Sequence, residues 1–150
     1  MATQKYFEDF ELGETYHSPT TTLTDAHFGA FAEMTGDAHP IHYDDEYAKN
    51  TPLGKRLTHG LLLASMGAMG ASSLSPLLEE SMIAFLEQSS RFLKPVLIGD
   101  AIKPEFEVSE LIPKAETGIL RLKTRITNQR DELVLEGMHA YLIKKRPLSS

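Results

Sequence analysis

The chain has 150 residues and no cysteine. A hydrophobic content of 41% and a charged content of 24% are ordinary for one globular domain with a real core. The net charge of −6 disfavours general nucleic-acid binding, which needs basic surface. The missing cysteines exclude disulfides, a thiolate nucleophile and a cysteine-based zinc site; they also fit a reducing, cytoplasmic setting.

The opening stretch MATQKYFEDFELGE is charged and has no apolar h-region, so it does not read as a secretory signal. Tyr16–Leu23 is β-branched toward its end and reads as a strand, placed at a sheet edge by Pro19. A short helix follows at 25–34. Thr24 suits its N-cap, Phe28, Phe31 and Ala32 form one apolar face, and Gly36 suits its C-terminal stop.

Residues 37–57 are polar and punctuated by proline, so they read as a loop with a helical turn near Asp44–Asn50. Residues 60–78, GLLLASMGAMGASSLSPLL, carry no charge. Their length would allow a membrane span, but three glycines, four serines and a proline dilute the apolar content. The expectation is a soluble helix from Thr58–Gly60 to just before Pro76, apolar nearly all round and almost completely buried.

The second half reads as strands: Met82–Arg91, Ala101–Leu111, Thr117–Thr127 and Leu133–Lys144. Ile102, Phe106 and Val108 share one parity, and Leu120, Leu122 and Ile126 alternate with Arg121, Lys123 and Arg125. This period of two marks half-buried antiparallel strands. The last strand lacks clean alternation and is expected inside the sheet. Segregated helices and strands mean an α+β fold, with an exposed sheet edge that pairing of two protomers would cover.

The densest chemistry lies in TGDAHPIHYDD, residues 35–45. Asp37 falls just past a helix C-terminus, a poor place for an anion. His42 follows beyond Pro40-Ile41, which can stiffen and anchor the link. A carboxylate facing an imidazole suits acid–base work near neutral pH. From chemistry alone, a capped polar loop is the commoner use of such residues. A metal site built from Asp37, His39, His42 and His59 has suitable donor types, but no characteristic ligand spacing.

In THGLLLAS, residues 58–65, the Gly60 amide would be among the unpaired donors at the start of the apolar helix, suited to a developing oxyanion. By itself His59-Gly60 merely starts a helix. Arg91, Lys94 and the Lys55-Arg56 pair could meet a phosphate, although a solvated rim is their ordinary use.

Together, TGDAHPIHYDDEYA, RLTHGLLLAS and RFLKPVLIGD resemble the MaoC-like dehydratases, the (R)-specific enoyl-CoA hydratases of the hotdog fold. The resemblance runs from about Phe10 to Ile143. It implies a single hotdog domain over 1–150, with a curved antiparallel sheet wrapped round the apolar helix and a homodimer or dimer of dimers. It implies Asp37 and His42 as the catalytic pair and the Gly60 N–H as the donor to a thioester carbonyl. His59 and Arg91 are further candidates for substrate binding. The substrate would be an acyl-CoA thioester, with no metal, no other cofactor, and neither nucleic acid nor membrane as partner. A thioesterase or a non-catalytic acyl-CoA-binding module on the same fold remains the alternative. Two departures bear on acyl specificity: many relatives have Asn where this chain has His39, and some carry a helix serine where this chain has Ala68.

Overall fold

The computed structural model describes residues 2–148, so the two termini of the expected domain, Met1 and Ser149–Ser150, lie outside the described residues. The elements in chain order are strands β1 (Thr15–His17) and β2 (Thr21–Thr22), helices α1 (Asp25–Thr35), α2 (Pro40–Tyr43), α3 (Asp45–Lys49) and α4 (Gly60–Ser65), and strands β3 (Met82–Phe92), β4 (Ala101–Pro113), β5 (Thr117–Thr127) and β6 (Leu133–Lys144). Single 3-10 turns cover Phe7–Asp9, Met69–Ala71 and Ser75–Leu78.

The sheet is antiparallel in the order β1-β4-β5-β6-β3, and β2 also pairs with β4. The single edge strand expected at Tyr16–Leu23 is therefore two short pieces. Both lie along β4, and the chain leaves the ladder between them around Pro19, whose ring nitrogen has no hydrogen to donate. Strand β5 alternates strictly between half-buried and buried residues. Strand β6 buries consecutive residues at Val134-Leu135 and His139-Ala140-Tyr141, as befits a strand held between two others. Gly137 lets β3 pass close: a Cβ there would sit 1.9 Å from the Ser89 carbonyl oxygen.

Helix α4 corrects the expectation of a long, fully buried helix. It spans only Gly60–Ser65 and buries Leu62 and Leu63, while Leu61 is 71% exposed. Gly67 and Gly70 weaken helix continuation and Pro76 forbids it, so the rest of the apolar stretch breaks into 3-10 turns. The small residues still allow close packing. Gly67 is buried, and a Cβ on it would meet the Ala64 carbonyl oxygen and the tip of Ile126. No helix among the described residues is long and apolar enough to cross a membrane.

Two clusters form the core. Phe7, Phe10, Tyr16, Phe106 and Leu120 anchor one, beneath the N-terminal turn. In the other, Phe28 and Phe31 of α1 and Leu62 and Leu63 of α4 pack on Ile102, Ile126, Val134 and Leu135 of the sheet. Each large side chain so buried contributes about 1.5–3 kcal/mol. This second cluster fixes α1 against the start of α4, and those are the elements that frame the site.

Candidate active site

Helix α1 ends where Gly36 turns left-handed, at φ 79°, a conformation glycine adopts without steric cost. Asp37 leaves that turn exposed to solvent. Its amide donates to Thr35 Oγ1 and its carboxylate accepts the His39 amide at 3.3 Å. That single long bond leaves most of the carboxylate's accepting capacity free.

The expected loop then coils into α2. The His39 ring caps it by accepting the Ile41 amide at 3.1 Å, and Pro40 occupies the first turn, where proline is preorganised for a helix. The pattern of a capping side chain and a first-turn proline was the sequence signal for this turn. Helix α2 carries His42 inward, where it is buried.

The His42 Nδ1 lies 2.6 Å from the carbonyl oxygen of Leu57. A carbonyl only accepts, so Nδ1 carries the proton and Nε2 presents a lone pair. The segment carrying Leu57 is itself pinned on both sides. Its amide donates to Ile41, Thr58 donates to Val96, and Ile98 donates to Arg56.

Three ionisable groups converge here. Asp37, His42 and His59 bring ligand-type atoms within 4.8 Å of one another. The rings of His42 and His59 are stacked, with centroids 3.8 Å apart and planes at 23°. These are donor types a divalent ion accepts. Near-parallel imidazoles, however, do not aim their in-plane lone pairs at one point, so the set fits an ion poorly as it stands. His39 is placed 6.2 Å from His42 between ring centres and spends one nitrogen on capping α2.

His59 is buried, and burial first, then the electrostatic influence of the neighbouring His42, lowers its pKa against the opposing pull of Asp37. Its Nε2 lies 2.5 Å from the Tyr43 hydroxyl oxygen, and the Tyr43 hydroxyl donates its proton to the Asp37 carbonyl at 2.6 Å. Burial, then the Asp37 charge, raises the Tyr43 pKa, so the phenol stays protonated. Tyr43 has no acid–base signature in the sequence, and its linking role was not readable there.

Gly60 opens α4. Its amide, with those of Leu61 and Leu62, has no backbone acceptor among the described residues, as expected for a first helical turn. With fewer than two turns of helix behind it, the dipole adds little; the free amides are what remains. Gly60 also lines an open, largely apolar groove of about 310 Å³ with Leu53, Leu57, Leu63, Phe92 and Leu93. A Cβ on Gly60 would press on the Phe92 ring at 3.3 Å.

The basic candidates separate. Arg91 is exposed on β3, opposite Glu136, and does not line that groove. Lys94 lines it but is paired with Glu132 at 2.7 Å. Arg56 is no solvated rim residue. It is buried, it pairs with Asp25 at 2.8 Å and Asp45 at 3.2 Å, and it reaches the His42 carbonyl at 3.4 Å. Arg56 thereby ties α1, α2 and α3 together, a role that its position in a basic pair did not signal.

An antiparallel sheet packed on a short apolar helix, with an acid and an imidazole brought to the helix start, is the hotdog fold in its MaoC-like form. The profile of the MaoC like domain matches residues 9–129, and the chain belongs to the MaoC-like dehydratase family. It is 33% identical over 141 residues to the 3-hydroxybutyryl-CoA dehydratase of Methylorubrum extorquens, covering 94% of this chain and 85% of that protein. It is 34% identical over 114 residues to an (R)-specific enoyl-CoA hydratase of Aeromonas caviae, covering 75% of this chain and 80% of that one. Among solved structures, an Archaeoglobus protein described as a monoamine oxidase regulatory protein superposes with a TM-score of 0.88 at 36% identity, covering 97% of this chain and 98% of that one. The Methylorubrum and Aeromonas relatives bear the names of hydro-lyases, and that is the enzyme class of this chain.

Proposed function

We propose that the protein is an (R)-specific enoyl-CoA hydratase acting reversibly, so that it also dehydrates 3-hydroxyacyl-CoA. The observation that carries this reading is the convergence of Asp37 and His42 on one spot, with the His42 Nδ1 proton committed to Leu57. In this reading the exposed carboxylate and the free Nε2 lone pair grip one water between them.

In this reading the water oxygen bonds to C3 of a trans-2-enoyl thioester as the dyad takes one of its protons. The C2–C3 π electrons move toward the thioester, and its oxygen gains charge that the Gly60 amide holds. C2 then takes a proton from the same dyad, which makes the addition syn. One water is consumed and no electrons are gained or lost. Both protons pass through the same two side chains, so the dyad rather than one member is the acid–base unit. The reading calls for no metal or redox cofactor, and coenzyme A arrives as part of the substrate. The apolar groove beside Gly60 suits an acyl thioester. The exposed edge strand β3, with Ile83, Phe85 and Leu86 uncovered, supports a homodimer.

The test is hydration of crotonyl-CoA, followed by loss of the conjugated thioester absorbance, with chiral analysis of the product and a thiol reagent present. Loss of absorbance without free thiol, giving the R product, is expected. Thiol release would make the protein a thioesterase, and binding without either reaction would make it a carrier.

A further inference from the structure

His59 was expected, if anything, to touch substrate. Its surroundings assign it another task. Phe28 and Phe31 of α1 pack on its ring, with centroids 5.5 Å and 4.6 Å away. The ring therefore sits in a fixed aromatic socket. It is 2% exposed and lies face to face with His42.

The hydrogen bonds have a defined direction. Tyr43 has one hydroxyl proton, and two carbonyl oxygens compete for it, Asp37 at 2.6 Å and Phe28 at 3.2 Å. Carbonyls cannot donate, so that proton points at them. His59 Nε2, 2.5 Å from the same hydroxyl oxygen, must then be the donor. This leaves His59 Nδ1 as a bare lone pair, and Nδ1 is indeed buried with no partner. The ring is neutral in this arrangement, in keeping with the lowering of its pKa by burial.

We propose that His59 and Tyr43 are positioning residues, a brace that sets the separation of Asp37 and His42. One end reaches the Asp37 backbone through the Tyr43 hydroxyl; the other backs the His42 ring by stacking. The inference rests on the hydratase reading above. Without the brace, the turn after Gly36 is held by the bonds of Thr35 and His39 alone, and the carboxylate loses its fixed distance from the imidazole. A displacement on the order of 1 Å in such a pair is enough to cost about 100-fold in rate.

The test uses Tyr43→Phe, His59→Gln and His59→Leu in the full chain, assayed with crotonyl-CoA, with folding checked by circular dichroism. Tyr43→Phe keeps the ring and loses only the link. It should lower kcat by about 10–100-fold while KM stays within about twofold. His59→Gln, whose amide can still donate to Tyr43, should retain more activity than His59→Leu. The Tyr43→Phe, His59→Leu double variant should be little worse than the poorer single, since the two act as one chain. An active parent with folded variants of unchanged kcat overturns the brace alone, as does a loss confined to KM, which would make His59 a substrate contact. A parent that hydrates no enoyl-CoA overturns the hydratase reading and the brace with it.

Discussion

The His42 Nδ1 proton is held by the carbonyl of Leu57 at 2.6 Å, three residues before the helix-opening Gly60. One short segment therefore orients the imidazole and presents the free amides. The imidazole of the dyad and the oxyanion donors of the proposed reaction cannot drift independently. Any movement of residues 57–60 shifts both, and Val96 and Ile98 restrain that movement through backbone bonds.

The amide contribution is separable from the rest. Gly60 is the first residue of α4, where proline is tolerated because the missing N–H has no helical partner. The extended His59 backbone, φ −56° and ψ 137°, suits the residue before a proline. Gly60→Pro should keep the helix and lose about 100–1000-fold in kcat, the usual effect of deleting one oxyanion donor. Gly60→Ala keeps the amide but crowds Phe92, so its defect should appear mainly in KM. Steady-state kinetics of the two variants check the split.

Arg56→Met should destabilise the fold. The substitution keeps the apolar stem beside Phe28, whose ring lies 5.8 Å from the guanidinium carbon, but unties Asp25, Asp45 and the His42 carbonyl. Because the two carboxylates are themselves solvent-exposed, the loss should be modest for a buried cation, about 1–3 kcal/mol. Urea unfolding measures it. A midpoint equal to the parent's would remove Arg56 from the account of how the helices are held.

Stability should fall on mild acidification because of His139. Burial among the rings of Phe85, Phe106 and Tyr141 pushes its pKa down to about 4, against about 6.5 in the unfolded chain. Between those values the unfolded chain binds a proton that the fold refuses. The His139 contribution is therefore intact above about pH 6.5 and is lost progressively as pH falls toward about 4. By pH 5 the loss amounts to about 2 kcal/mol. His59, shifted the same way, adds to it. Urea titrations at pH 7 and pH 5 should show His139→Leu losing less stability than the parent. Equal losses would contradict the assignment.

The uncovered side of β3 predicts association. Phe85, 54% exposed, stacks on Tyr141 at 4.8 Å between ring centres and ends at solvent. Phe85→Glu should convert a sedimenting dimer to monomer without unfolding it. A parent that already sediments as a monomer would contradict the dimer.

The sheet was legible because β4 and β5 alternate cleanly and their turns carry glycine, proline and asparagine. The antiparallel order then places β6 inside and leaves β3 at an edge. Helix α4 was misjudged because an uncharged run reads as a buried helix, whereas Gly67, Gly70 and Pro76 set its real length. Asp37, His42 and Gly60 stand out in their motifs as candidates, and the fold brings the first two together. Tyr43, Arg56 and the stacking of His59 do not stand out: a tyrosine, one member of a basic pair and a helix-preceding histidine are ordinary locally. Their contacts form only when α1 packs on α4 and residues far apart in the chain meet, as Asp25 meets Arg56 and Phe28 meets His59.

The most direct test compares the parent with Asp37→Asn and His42→Ala in crotonyl-CoA hydration, with the fold verified for each. The account predicts R-3-hydroxybutyryl-CoA from the parent and a loss of at least about 100-fold in kcat for each variant, with the double variant little worse than the poorer single. Variants that hydrate as fast as the parent would contradict it.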